Sequence, residues 1–215
     1  MSGAELIFDI VWAGGVSAAA LIAHKLRLFQ RIRRVKRRRI KELDENVRAR
    51  VTGTVRQHEQ LLEAGMTGRP CVFYRVQVTG TEPGKTTLKP LIDESRGVEF
   101  VIEDDTGRAI IDPMDARVDL HADAWSDERS FDVPTPRTDA LLARHGYGHL
   151  SHAWRSNLRI RESVILVGDR LTLVGFGVRL GDPLSGVYRE GASQLRMGGS
   201  VKHPLWMTKH QDALD

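Results

Sequence analysis

Three histidines, His145, His149 and His152, recur at i, i+4 and i+7. On one helical face that spacing would bring three imidazoles within reach of a Zn²⁺ ion. Gly146 and Gly148 interrupt such a helix, and no cysteine or carboxylate stands at matching ligand spacing, so loop or helix-end histidines are the expectation. Asp104, Asp105 and Asp112 could be read as a carboxylate cluster for Ca²⁺ or for acid–base work. Aspartates at turn positions more often bond their own backbone, and that reading is favoured. A Gly-x-Ser-x-Gly nucleophile elbow and a P-loop are both missing. Gly175-Phe-Gly177 lacks the third glycine and the following helix of a dinucleotide fingerprint. Cys71, the sole cysteine, sits in an apolar strand run and reads as a buried thiol. No catalytic residue, cofactor or metal is implied. Glu162 stands out because it opens a strand that should favour apolar or β-branched residues. It either engages a partner's main chain, or pairs with Arg159, Arg161 or a backbone amide to fix the strand entry. The second reading is favoured.

The elements that would position these residues are mostly strands. Val51-Thr-Gly-Thr-Val55 and Cys71-Val-Phe-Tyr-Arg-Val-Gln-Val78 are β-branched or aromatic runs bounded by turn formers. Gly97 to Ile102, the acidic turn Glu103-Asp-Asp-Thr-Gly107, and Arg108 to Ile111 predict a hairpin that stops at Asp112-Pro113. Arg117 to Leu120, Leu158 to Ile160, Ser163 to Val167 and Arg170 to Val174 add short strands. Thr138 to His145 predicts one helix, with Thr138 as N-cap and Gly146 closing it. Short strands, frequent turns and one helix imply a compact, mostly antiparallel β-barrel or sandwich. Residues 81–96 read as a hairpin excursion. Residues 181–215 read as a flexible tail, rich in Gly, Pro, Ser and charge.

The N-terminal region has a different texture. Leu6 to Ala23 is mostly apolar and would rise roughly 27 Å as a helix, close to a hydrocarbon core of about 30 Å. Asp9 lies near its end, where a carboxylate reaches headgroups at far less than the about 2.5–3.5 kcal/mol cost at the bilayer centre. Lys25 to Lys41 then carry ten Lys/Arg and no acid. That order is the reverse of a cleaved signal peptide, and it predicts a single-pass anchor with a cytoplasmic flank. Arg31, Arg33, Arg34, Lys36, Arg37, Arg38 and Arg39 form a basic patch suited to anionic lipid headgroups. Removing the +10 of residues 25–41 and the −2 of Glu5 and Asp9 from the whole-chain +4 leaves −4 for residues 42–215. The basic balance is therefore local, which argues against nucleic acid as partner. Leu28, Ile32, Val35, Leu43 and Val47 recur near one helical face, and no Pro or Gly interrupts residues 16–52, so one long helix is expected to leave the bilayer. Gly14 with Ala18, and Gly15 with Ala19, are small-xxx-small pairs that would let two such helices approach as a homodimer.

Four stretches fall in an order that resembles the GIDE/BAM ("beside a membrane") domain family. They are Val51-Thr-Gly-Thr-Val55, Gly68-Arg-Pro-Cys-Val-Phe-Tyr-Arg75, Phe100-Val-Ile-Glu-Asp-Asp-Thr-Gly107 and Arg161-Glu-Ser-Val-Ile-Leu-Val-Gly-Asp-Arg-Leu-Thr-Leu-Val-Gly175. Leu141-Leu-Ala-Arg-His-Gly146 is similar to the family's short helix. The module occurs in mitochondrial-anchored RING ubiquitin ligases and in bacterial members. The resemblance covers about residues 47–178 and implies Tyr74, Arg75, Glu162, Gly168 and Asp169 as motif or interaction residues. In the ligases, ubiquitin transfer belongs to a separate RING that needs eight Cys/His ligands for two Zn²⁺ ions. One cysteine and no Cys-x-x-Cys cannot supply them, so ligase activity does not carry over, and neither does the family's second membrane segment.

The organisation expected from sequence is an anchor over 1–24, a basic juxtamembrane helix over 25–46, a GIDE/BAM-like β-domain over 47–180 and a tail over 181–215. The function expected is a non-catalytic interaction or scaffold module at a membrane surface, with an unidentified protein partner. The rival class is enzymatic, either a component related to ubiquitin ligases or a membrane-bound enzyme with an unrecognised site.

Overall fold

In the computed structural model, residues 32–81, 87–114, 116–120, 124–126, 135–150, 155, 158–180, 194–200 and 202–209 are described. The expected anchor over 1–24, Arg31 and His152 lie outside them. Among the described residues, no helix is long and apolar enough to cross a membrane.

Five strands close a barrel. They are β1 (Arg48–Gln57), β6 (Phe100–Asp104), β7 (Gly107–Ile111), β12 (Gln194–Gly198) and β11 (Arg170–Leu180), each bonded to the next, with β11 returning to β1. β1 runs antiparallel to β11 from Arg48 opposite Phe176 to Thr54 opposite Arg170. It then pairs with β6 from Thr54 opposite Glu103 to Gln57 opposite Phe100. β7 and β12 are parallel. Alternation along the strands sends Ala49, Val51, Val55, Phe100, Ile102, Ile111, Leu171, Leu173 and Met197 into one buried core. Each large apolar side chain so buried stabilises by about 1.5–3 kcal/mol.

A second layer is a four-stranded sheet in the order β5 (Leu88–Gly97), β4 (Phe73–Thr81), β10 (Leu158–Ile165) and β9 (Ala124–Ser126). Helix α1 (Pro136–Arg144) lays Leu141 and Leu142 onto Tyr74, Val76, Val78, Ile160 and Val164, a second core. The short pair β2 (Leu62–Glu63) and β3 (Pro70–Cys71) adds Ala64 and Cys71 to the same core. The mostly β architecture with one short helix matches the expectation from sequence.

Three expectations are corrected. The juxtamembrane helix expected over 25–46 does not continue through the described residues. Among residues 32–46 only Ile32 and Arg33 are α-helical, Arg37 forms a β-bridge, and Ile40–Glu42 is a 3₁₀ turn. Like charges at i, i+4, such as Arg33 with Arg37 and Arg34 with Arg38, disfavour a helix here. Backbone pairing competes as well: Arg38 donates its N–H to the Arg50 carbonyl at 2.9 Å, and Arg50 donates to the Lys36 carbonyl at 3.0 Å. The apolar residues that suggested one face serve separate anchor points, since Ile40 and Leu43 are buried in the barrel core while Val47 is exposed.

The helix N-cap is Thr135 rather than Thr138. Pro136 follows it at the first turn, and Thr135 Oγ1 accepts the Thr138 N–H at 3.2 Å. Finally, part of the expected tail is core. β12 and β13 (Trp206–Thr208) bury Leu195, Met197, Leu205 and Met207, and β13 joins β11 to β8 (Arg117–Asp119). Lys209 then bonds the Val164 carbonyl and lies 3.0 Å from Asp169 Oδ2.

Candidate functional site

Glu162 lies on β10 between the two layers of this half of the molecule and is fully buried. Its carboxylate accepts the Met66 N–H at 2.6 Å, the Thr67 N–H at 3.1 Å and the Thr67 hydroxyl. Three donors on one buried carboxylate fix the loop between β2 and β3 across about a hundred residues of sequence. The loop is also closed on itself, with the Gly68 N–H bonded to the Ala64 carbonyl. Glu162 is the fifth residue of β10 rather than the opening of a strand, and its carboxylate meets backbone amides of a distant loop rather than fixing the strand entry.

Cys71, beside that loop, is buried. Burial first, and the nearby Glu162 charge second, push its thiol up to about 11. Such a thiol is protonated at neutral pH and is no nucleophile.

A second polar cluster was not visible in the sequence. Glu94 on β5 accepts the Tyr74 hydroxyl at 2.7 Å, two Arg144 guanidinium contacts near 3.0 Å and a 2.6 Å contact with His145 Nε2. Arg96 Nε lies 3.2 Å away. The cluster arises because Tyr74 and Glu94 are diagonal across the β4–β5 pair, while Arg144 and His145 end α1 above them. Burial alone would raise the Glu94 carboxyl. The hydrogen bonds from His145, Tyr74 and Arg144, with the Arg144 charge, outweigh it and hold the group at about 2. The Tyr74 hydroxyl moves the other way, to about 12, through burial and its bond to Glu94. A carboxylate so depressed is no general base at neutral pH, and every group in the cluster converges on it. This is a lock between helix and sheet.

The lock has a pH signature. A carboxyl depressed in the fold stabilises above its unfolded value of 4.5 and loses that contribution as pH falls towards about 2. The wild-type chain is expected to lose on the order of 2 kcal/mol through this group between those pH values. Urea midpoints measured from pH 7 to pH 2 should show a shallower acid limb in Glu94→Gln. Parallel limbs in the two proteins would contradict the assignment.

The remaining sequence candidates are turn-builders. Asp104 Oδ1 accepts from Thr106 N, Thr106 Oγ1 and Gly107 N, and its Oδ2 accepts from Ile40 N at 2.8 Å. Asp112 accepts the Met114 N–H, and Asp105 lies 3.6 Å from Arg39. Gly168 has φ +95, so a left-handed turn links β10 to β11. Asp169 Oδ2 accepts the Leu166 N–H in that turn. Arg75 makes a two-pronged pair with Asp93 on the other face of β4. Glu94 engages His145, whereas His152 lies outside the described residues. Among the described residues, no group of three His, Cys, Asp or Glu is placed to hold a metal ion.

A cleft of about 810 Å³ lies where the basic run meets the barrel wall. Arg37, Arg38 and Arg39 form one side, Thr52, Gly53 and Thr54 of β1 the floor, and Arg56 and Arg170 the far side. Three of its four acids are engaged: Glu103 takes Arg56 and Arg108, Asp104 takes backbone amides, and Asp105 neighbours Arg39, while Glu42 is exposed. Arg37 and Arg170 have no carboxylate partner among the described residues. Of the patch foreseen from sequence, Arg37 to Arg39 line the cleft, while Arg34 and Lys36 are exposed outside its lining. Arg170 was missed because nothing local links it to a run more than a hundred residues earlier, and Thr52 and Thr54 because they read only as strand residues.

Comparison with family models, with curated proteins and with solved structures finds no match to this chain.

Proposed function

We propose that this chain is a membrane-anchored, non-catalytic interaction module of GIDE/BAM type, whose β-domain stands against the cytoplasmic surface of a bilayer. The observation that carries the reading is the backbone pairing of the basic run with β1, through Arg38 N–H to Arg50 O and Arg50 N–H to Lys36 O. Only eight residues, 24–31, separate Ala23, at the end of the apolar segment, from Ile32. Fully extended, they reach about 30 Å, so an anchored segment would keep the barrel wall near the headgroups. The cytoplasmic side follows from the ten bases behind the apolar segment. The carboxylates of Glu94, Asp104 and Glu162 act as structural acceptors, and this supports a binding role over catalysis.

Alkaline carbonate extraction of membranes tests the anchor. The full chain is expected in the pellet, and a chain lacking residues 2–24 in the supernatant. Release of the full chain by carbonate would overturn the reading.

A further inference from the structure

The cleft between the basic run and the barrel has the chemistry of an anion site, in a position a dispersed basic patch would not need. Its two unpartnered guanidinium groups come from opposite ends of the chain, Arg37 from the extended segment and Arg170 from the start of β11. Thr52 and Thr54 lie two apart on β1, so their side chains share its outer face. Thr52 Oγ1 shares a 2.9 Å hydrogen bond with Thr172 Oγ1 in which either hydroxyl can donate, and with Thr172 donating the Thr52 proton is left for an anion. Guanidinium forks with hydroxyls are the usual donors to phosphate oxygens.

A second observation points the same way. Arg50, also on the outer face of β1 and next to Thr52 in that row, is only 8 % exposed. Its Nε and Nη1 are buried without a hydrogen-bond partner. It does not line the cleft, but its backbone bridges to Arg37, which does. Burial, then the charges of Arg37 and Arg33, push its guanidinium below the ordinary value. A buried arginine short of acceptors therefore adds positive potential behind the Arg37 wall. The lining itself carries five arginines against four acids, of which Glu103, Asp104 and Asp105 are held by the partners named above and Glu42 is exposed.

We propose that this cleft binds the phosphodiester of an anionic glycerophospholipid headgroup, with Arg37 and Arg170 as its forks and Thr52 and Thr54 as hydroxyl donors. The proposal rests on the membrane-anchored reading for its choice of a lipid source. The volume of about 810 Å³ falls in the range of small-molecule sites, roughly 300–1,000 Å³. Arg39 and Arg56 keep their acidic neighbours and shape the walls. The basic run would then act as one side of a defined pocket, with the barrel supplying the other.

The full chain in non-ionic detergent tests this independently of the anchor. Thermal melting is followed with dihexanoyl phosphatidylglycerol, dihexanoyl phosphatidylcholine, sn-glycerol 3-phosphate and inorganic phosphate, against potassium chloride at matched ionic strength. Saturable stabilisation by the phosphatidylglycerol, weaker stabilisation by glycerol phosphate and none by phosphatidylcholine are expected. Arg170→Gln should weaken the apparent affinity at least tenfold, whereas Arg34→Gln, an exposed base of the same run, should leave it within twofold. Arg37→Gln serves as the second variant should Arg170→Gln fail to fold. Equal losses in Arg34→Gln and Arg37→Gln would mean a diffuse patch and overturn the site. Tighter binding of inorganic phosphate than of the lipid would overturn the headgroup source, and an unchanged melt with all four ligands would overturn the site itself. None of these outcomes bears on carbonate extraction, so the anchor reading stands or falls separately.

Discussion

Replacing Glu162 with alanine is expected to lower the melting temperature by roughly 6–16 °C. The arithmetic starts from the donors the carboxylate satisfies: two backbone amides, at Met66 and Thr67, and the Thr67 hydroxyl. Removing a charged acceptor from buried donors costs about 3–4 kcal/mol, and each kcal/mol shifts a domain of this size by about 2–4 °C. Glu162→Gln should lose less, about 2 kcal/mol, because its carboxamide oxygen still accepts while its NH₂ faces an amide donor. Differential scanning calorimetry reads both. An alanine variant melting within about 2 °C of wild type, with binding to a partner lost, would restore the rival view that Glu162 engages another chain.

Gly53→Ala should be comparably damaging for a different reason. A Cβ at Gly53 would stand 2.5 Å from the Glu103 carbonyl oxygen and 3.0 Å from its carbon. The obstacle is backbone, so it cannot swing aside, and β1 must lift from β6 at the point where it changes partner from β11. Overpacking of this kind costs about 3 kcal/mol and should speed amide exchange at residues 54–57. Gly198→Ala is the matched control, since a Cβ there meets nothing within 4 Å. It should stay within about 0.5 kcal/mol of wild type. Equal urea midpoints for the two variants would rule out the close approach.

Local chemistry made part of this molecule legible. The hairpin of β6 and β7 follows from an acidic turn with Gly107 between two apolar runs, and Asp104 does bond that turn's amides. Glu162 was conspicuous because a charge interrupted an apolar strand. What sequence pattern could not supply was pairing across distance. β5 contains Pro90 and four charged residues, and becomes a strand only through its register with β4. β12 and β13 are five and three residues long and take their order from β7, β11 and β8. The helical reading failed over residues 34–46 because spacing reports which residues are apolar and says nothing of a backbone partner such as Arg50. The cleft was half legible for the same reason: its basic side is contiguous, and its far side is assembled by folding.

The barrel's closure also sets an order in time. Thr52 on β1 and Thr172 on β11 meet across 120 positions of chain. At about 5–20 residues per second of synthesis, roughly 6–24 s pass between the appearance of one strand and its partner. β6 and β7 arrive earlier and can form their hairpin alone, but the seam between β1 and β11 cannot be sewn until the second half exists. The first strand made thus meets β6 early and waits longest for β11.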